Sequence, residues 1–403
     1  MLKVLIADKL PDNARMRLQE AGMAVHALPG LSDQALAEAL AEHDPDVLVV
    51  RSTQVRAGHV AAAPGLQLIV RAGAGVNTID LAAASARGVY VSNCPGMNAV
   101  AVAELTWGHI LNADRRIADG VAALRSGTWS KKAFSKLGRG LKGRTMAVLG
   151  TGSVGREVIA RAHAFELDVV AWSPSLTLEG AARLGVRRAE SIVEAARDAD
   201  IVTVHVALNP ATRSLIGRAV FEAMHAGGVF VNTTRGPVVD EEALAWAVRE
   251  RGLLAGLDVF CDEPSADGAW VHPLAGLPGV YGTHHIGAST VQAQDAVAEE
   301  ACRVILEWAS GGGAPHCVNL ARKTAATHLL VVRHRDQVGV LARVLDAISD
   351  DGMNVQHMDN IIFSGGGAAC ARIQVARAPS ARLLSRLESM DPVFDAKLVA
   401  LED

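Results

Sequence analysis

Short β-branched runs alternate with alanine-rich stretches of helical spacing through the first hundred residues. The runs are "KVLIA", "VLVV", "LQLIV" and "VYVSN". That alternation predicts a parallel sheet covered by helices. A long helix is expected from near Asn98, where "NAVAVAELTWGHILNADRRI" repeats small and large apolar residues at helical spacing. After "LKGRT" a second set of strands follows: "MAVLG", "LDVVAW", "DIVTVHV", "GGVFVNT" and "LLAGLDVF". Two α/β units in series result. Near the end "ASGGGAP", residues 309–315, breaks the composition and reads as a linker. Beyond it, "THLLVVRHRDQVGVLARVLDAISDDGMNVQHMDNI" opens a separate small module of strand, helix and strand.

Composition narrows the class. The chain has 403 residues, enough for two or three domains that each bury a core. The net charge of −4, without a long basic run, argues against nucleic acid or an anionic membrane as the main partner. The five cysteines, Cys94, Cys261, Cys302, Cys317 and Cys370, are scattered and never spaced as CxxC. They indicate neither a disulfide framework nor a metal site, and fit a reducing compartment. "MLKVLIADKL" reads as a first strand instead of a leader, and no apolar run approaches membrane-spanning length. A soluble, cytoplasmic protein is expected.

The strongest local motif is "VLGTGSVG", with Gly150, Gly152 and Gly155 at GxGxxG spacing between a strand and a helix. The first glycine permits a tight turn, the second lets backbone approach a pyrophosphate, and the third packs helix on strand. The helix N-terminus then faces the phosphates. An acidic residue about 20 positions on would bind the ribose of NAD. Here the next strand ends "VVAWSPSL", and Ser173 occupies that place. Serine can bond the ribose but does not repel a 2′-phosphate, so NAD is expected and NADP stays open.

Three charged groups fall at strand ends or loops of the second unit: Arg235 in "VNTTRGPVVD", Glu263 in "LDVFCDEP", and a histidine of "THHIGAST". Ligands of open α/β sheets bind beyond the carboxyl ends of the strands, so these loops could converge on one crevice. Arginine's planar fork matches a carboxylate, and a histidine held by a glutamate can take a hydroxyl proton as hydride leaves the same carbon. His284 and His285 are adjacent, and on extended chain only one of them can face a given pocket.

Five ordered stretches carry a resemblance: "VRAGAGVNTIDLAAASARGVYVSNCPGMNAVAVAELTWG", "GTGSVGREV", "VNTTRGPVVDEEAL", "GLDVFCDEP" and "HIGASTVQAQ". Together they resemble the D-isomer-specific 2-hydroxyacid dehydrogenases. The resemblance implies two Rossmann-like domains, one flavodoxin-like and substrate-binding (1–97 and 287–315), the other dinucleotide-binding (98–286). It assigns the catalytic roles to Arg235, Glu263 and His285, because the family's histidine directly precedes "IGAST"; His284 stands where many relatives have proline. Cofactor contacts are implied for Ser153, Val154, Thr233, Thr234, Asp258, Gly287 and Ala288 beside the three glycines and Ser173. Substrate contacts are implied for Arg51, the loop Ala74, Gly75 and Val76, and Lys131 and Lys132, the lysines across a subunit boundary. Asn77 and Thr78 depart from the Asp-Asn common in relatives.

The implied reaction is NAD-dependent oxidation of D-3-phosphoglycerate to 3-phosphohydroxypyruvate, the first step of L-serine synthesis. Other readings are reduction of glyoxylate or hydroxypyruvate, or a non-catalytic NAD-sensing corepressor. The C-terminal stretch (325–403) resembles an ACT domain, a βαββαβ ligand-sensing fold. It implies an L-serine effector held by His334, Asp336 and Asn354, and a homo-dimer or tetramer. Asp336 and Val338 replace the usual asparagine and proline there.

Overall fold

The computed structural model describes residues 1–264, 267–321 and 323–401; the last two positions of the expected C-terminal module lie outside them. The chain divides into two compact units, Met1–Asn319 and Leu320–Asp403.

In the first unit, strands β1 (Lys3–Ile6), β2 (Ala24–Ala27), β3 (Val47–Val50), β4 (Leu68–Arg71) and β5 (Tyr90–Asn93) form a parallel sheet in the order β2-β1-β3-β4-β5. A second parallel sheet holds β6 (Thr145–Leu149), β7 (Asp168–Trp172), β8 (Arg187–Arg188), β9 (Ile201–Val204), β10 (Val229–Asn232), β11 (Leu254–Leu257) and β12 (Val280–Gly282). Its order is β12-β11-β10-β9-β6-β7-β8, so the winding reverses between β6 and β9. Helices cover both faces, and strands such as β3, β9, β10 and β11 are buried along their whole length. Continuous apolar runs, without polar alternation, are what two covered faces require.

Two helices set the relation of the sheets. Ala99–Arg115 lays Ala103, Trp107, Ile110 and Ala113 on the second sheet, with Trp107 stacked on Phe165 at 4.6 Å. Val291–Ala309, capped by Thr290, returns to the first sheet and packs Val297, Ala301, Val304 and Ile305 against Val4, Val47 and Leu68. The 309–315 stretch does not mark the separation of units. His316 and Val318 bond the backbone of β5, and the Asn319 side chain is tied to Val89 and Val91. Those bonds hold the segment to the sheet edge as far as Asn319.

An ion cluster closes the far end of the second sheet. Arg144 contacts Asp114 at 2.9 Å and Asp200 at 3.5 Å, and Asp200 also accepts from the Thr145 amide. Burial alone would raise the Asp200 carboxyl, but the Thr145 amide, Arg144, Arg139 and His225 outweigh it and leave the group below the usual carboxylate range. A depressed folded value stabilises the fold above the ordinary carboxylate pKa, and that contribution is lost as pH falls through the depressed value. Asp200→Asn should therefore lower Tm by several degrees at pH 6 and by less at pH 3, below the ordinary carboxylate pKa, read by calorimetry across that range. An equal loss at both pH values would contradict the assignment.

In the second unit, β13 (His328–His334), β14 (Val355–Ile362), β15 (Ala369–Val375) and β16 (Val393–Ala400) form an antiparallel sheet in the order β14-β15-β13-β16. Helices Val340–Asp350 and Ala381–Glu388 complete a strand-helix-strand-strand-helix-strand order and share its core through Val344, Ile348, Leu383 and Leu387. No described helix is long and apolar enough to cross a membrane.

Candidate active site

The glycine turn after β6 has the geometry its spacing demands. Gly150 has φ +110°, and a Cβ there would lie 2.4 Å from the His205 carbonyl oxygen. A Cβ on Gly155 would lie 2.0 Å from the Gly150 oxygen, so only glycine lets the helix Ser153–Ala164 approach. Gly152 instead faces open space. The helical ladder begins with Arg156 donating to the Gly152 carbonyl, which leaves the amides of Ser153, Val154 and Gly155 ahead of it. This cradle fits a pyrophosphate. Ser173 directly follows β7.

The loops after β10, β11 and β12 converge. Arg235, Glu263 and His285 line one crevice together with Arg51, Arg71, Asn77, Thr78 and Ala288. His285 Nδ1 lies 2.7 Å from Glu263 Oε2, and Glu263 Oε1 accepts from the Phe260 amide at 2.9 Å. Burial pushes the Glu263 carboxyl up; the hydrogen bonds from His285 and Phe260, with the His285 and Arg235 charges, more than reverse this and hold it below the usual range. The glutamate is thus an anion that accepts a hydrogen bond from Nδ1–H, leaving Nε2 unprotonated and free to work. His285 sits at φ +53°, a left-handed conformation costing about 1–2 kcal/mol for a non-glycine residue.

Arg235 is fixed by its own loop. The Asn232 amide group donates to the Arg235 carbonyl at 3.0 Å, and Arg235 Nη1 donates to the Thr234 carbonyl at 2.6 Å. A Cβ on Gly236 would fall 2.0 Å from the Phe260 carbonyl carbon, so the arginine and glutamate loops touch backbone to backbone. Gly75 meets the guanidinium directly, since a Cβ there would lie 2.7 Å from Arg235 Nη2. Among the described residues, none accepts a hydrogen bond from the amides of Ala74, Gly75 or Val76.

Several groups escaped the sequence reading. Arg71 ends β4 and lines the crevice. Burial first, then the Arg235 and Arg51 charges, hold its guanidinium down to about 10. Its Nε is buried without a hydrogen-bond partner among the described residues. The strand-end rule that found Arg235 would have found it in "LIVRAG". Asp8, at the end of the first strand's loop, accepts the amides of Arg51, Ser52 and Thr53 and so fixes the Arg51 turn.

Other candidates lie apart. Lys131 and Lys132 form part of a short exposed helix, Lys131–Phe134, outside the crevice lining. His284 is absent from that lining as well. Thr233 bonds Thr106 at 3.0 Å, and Thr234 bonds Asn232. Asp258 is 1% exposed, and both its carboxylate oxygens accept hydrogen bonds from residues 283–287, which turns it toward the loop backbone. In the second unit His334 is buried, its ring nitrogens bonded to the Arg335 carbonyl and Asn360, while Asp336 and Asn354 are exposed.

Residues 107–287 match the family model of the D-isomer specific 2-hydroxyacid dehydrogenase, NAD binding domain. A solved structure described as a putative D-3-phosphoglycerate dehydrogenase oxidoreductase from Ralstonia solanacearum is 30% identical, with 79% of this chain and 97% of that chain covered at a TM-score of 0.63. This chain belongs to the D-isomer specific 2-hydroxyacid dehydrogenases. A D-3-phosphoglycerate dehydrogenase of Methanocaldococcus jannaschii is 39% identical over 322 residues, 79% of this chain. The chain spans about 60% of the length of that relative. A 3-phosphoglycerate dehydrogenase of Entamoeba histolytica, described with NAD+ bound, is 25% identical and superposes with a TM-score of 0.66 over 79% of this chain and 99% of that chain.

Proposed function

We propose that the protein oxidises D-3-phosphoglycerate to 3-phosphohydroxypyruvate with NAD, the first step of L-serine synthesis in the cytoplasm. The observation that carries the substrate is the arginine cluster. Three guanidiniums, of Arg51, Arg71 and Arg235, face one crevice, and burial together with the charges of Arg235 and Arg51 lowers the pKa of Arg71. Like charges gathered beside a histidine–glutamate pair call for a ligand with more than one anionic group. A carboxylate at one end and a phosphate at the other meet that demand, and glycerate or glyoxylate would leave part of the cluster unanswered.

The relatives named D-3-phosphoglycerate dehydrogenase support the same reading. The turn of Gly150, Gly152 and Gly155, with the amides of Ser153 and Val154, would hold the dinucleotide, whose nicotinamide would supply the hydride acceptor. The residues of the chain do the rest. Arg235 holds the carboxylate and the oxygen on C2, stabilising charge as the ketone forms. His285 Nε2 accepts the C2 hydroxyl proton, and Glu263 steadies the imidazolium through the 2.7 Å contact. The amides of Ala74, Gly75 and Val76 hold the carboxylate from the other side, and Arg51 and Arg71 take the phosphate.

The test is turnover of phosphoglycerate and phosphohydroxypyruvate against NAD(H) and NADP(H). Phosphate-bearing substrates should be preferred over glycerate by at least ~10²-fold in kcat/KM; parity would refute the substrate. Ser173→Asp should raise the NAD over NADP preference about tenfold, since a carboxylate there repels a 2′-phosphate; an unchanged ratio would show that Ser173 does not face the ribose. Feedback by L-serine at the C-terminal unit and a homo-dimer or tetramer belong to the same reading. Calorimetric titration of serine into the full chain and sedimentation test them.

A further inference from the structure

Behind the His285 loop lies a buried chain of polar groups that the reaction itself does not use. His109, on the helix Ala99–Arg115, is 4% exposed. Its Nε2 lies 3.0 Å from Thr283 Oγ1, and Thr283 Oγ1 lies 2.6 Å from Asp258 Oδ1. The proton directions follow from chemistry. A carboxylate only accepts, so the Thr283 hydroxyl donates to Asp258 and must accept from His109 Nε2–H. Burial holds His109 below the usual imidazole range, with the Asp258 charge opposing.

Asp258 passes this anchoring on. Its Oδ1 also accepts the Ile286 amide at 2.9 Å, its Oδ2 the Gly287 amide at 2.8 Å, and its backbone carbonyl the His285 amide at 2.9 Å. Three consecutive amides, starting at the histidine, therefore close on one residue. They hold His285 at a φ of +53° that its side chain would not choose.

The second observation is Gly256, in the middle of the buried strand β11, where glycine weakens a sheet. A Cβ there would lie 2.5 Å from His109 Cβ and 2.9 Å from its Cγ. The strand thus gives up a side chain at the one point where the imidazole crosses it.

We infer that His109, Thr283 and Asp258 form a relay that holds the His285 loop in its working conformation, with Gly256 providing the space, so that His109 is a positioning residue for the proton transfer. The inference rests on the functional reading above. It acts on turnover, not on ligand affinity, because none of His109, Thr283 and Asp258 is among the residues that line the crevice.

The experiment compares His109→Leu, His109→Gln and the near-isosteric Thr283→Val in the full chain. It measures kcat, KM, NADH affinity by fluorescence, and amide exchange of residues 283–287 by mass spectrometry. His109→Leu and Thr283→Val should each lower kcat about tenfold or more, with KM and NADH affinity within about twofold and exchange of the loop amides faster. His109→Gln, which keeps a donor near the Nε2 position, should recover most of the rate. Unchanged kcat and exchange in both donor-deleting variants would overturn the relay, as would a Gln variant as impaired as Leu. Should the parent protein turn over none of the substrates while the loop still exchanges faster in the variants, the functional reading fails and the relay stands.

Discussion

His285→Ala is expected to lower kcat by about 10³-fold, near the middle of the range for loss of a general acid–base group. NADH affinity should stay within about threefold. The separation is the point. His285 lies 2.7 Å from Glu263 and lines the crevice, while the glycine cradle is built by Gly150, Gly152 and Gly155 at the end of a different strand. Removing the imidazole takes away the proton acceptor without touching the phosphate site. Glu263→Gln tests the same pair from the other side: it should cost less, because the amide oxygen still accepts a hydrogen bond from Nδ1–H but no longer offsets the imidazolium charge. Stopped-flow single turnovers and NADH fluorescence titrations check both. An alanine variant that keeps more than a tenth of the parental kcat would remove His285 from its role.

Arg235→Lys should lose about 10²-fold in kcat/KM, about 2.7 kcal/mol of transition-state stabilisation. Charge is conserved in this change, so electrostatics alone would predict little. What is lost is the fork. Arg235 spends Nη1 on the Thr234 carbonyl and still presents Nη2 against Gly75, the loop assigned to the substrate carboxylate. A lysine offers one point charge that cannot bond a carboxylate and a neighbouring oxygen in a fixed plane. Its ammonium is also the more strongly hydrated ion, and the Arg235 site is buried enough to lower even a guanidinium. Steady-state kinetics on phosphohydroxypyruvate and NADH decide it; a loss below threefold would mean that charge alone suffices.

Much of this site was legible because its chemistry sits in local signatures. The glycine turn, "TTRGP", "CDEP" and "HHIGAST" each carry a residue type and a strand-end position, and the topology brings strand ends together. The residue pattern alone could not choose between His284 and His285. Extended chain would point them oppositely, whereas the left-handed φ of His285 is a tertiary constraint imposed by Asp258. Arg71 and Asp8 were missed for a different reason: Arg71 ends and Asp8 follows an ordinary apolar strand, a position the strand-end rule covers, but what each does there is set by neighbours distant in sequence. The same holds for Gly256, whose purpose appears only when His109 lies across it. The edge strands β8 and β12, with two and three residues, carry too few positions for a periodic signal. The glycines at 311–313 suggested a break, but the hydrogen bonds of His316 to Asn319 with the first sheet lie beyond the reach of composition.

The return of Val291–Ala309 to the first sheet has a consequence for biogenesis. Apolar positions of β1, β3 and β4 are roofed by a segment that begins to leave the ribosome two hundred and twenty residues after the end of β4. Until then the nascent N-terminal sheet presents a greasy flank to its surroundings, a state prone to sticking. A chaperone that engages emerging chains should therefore dwell on this flank until the late helix arrives, and release should coincide with its synthesis.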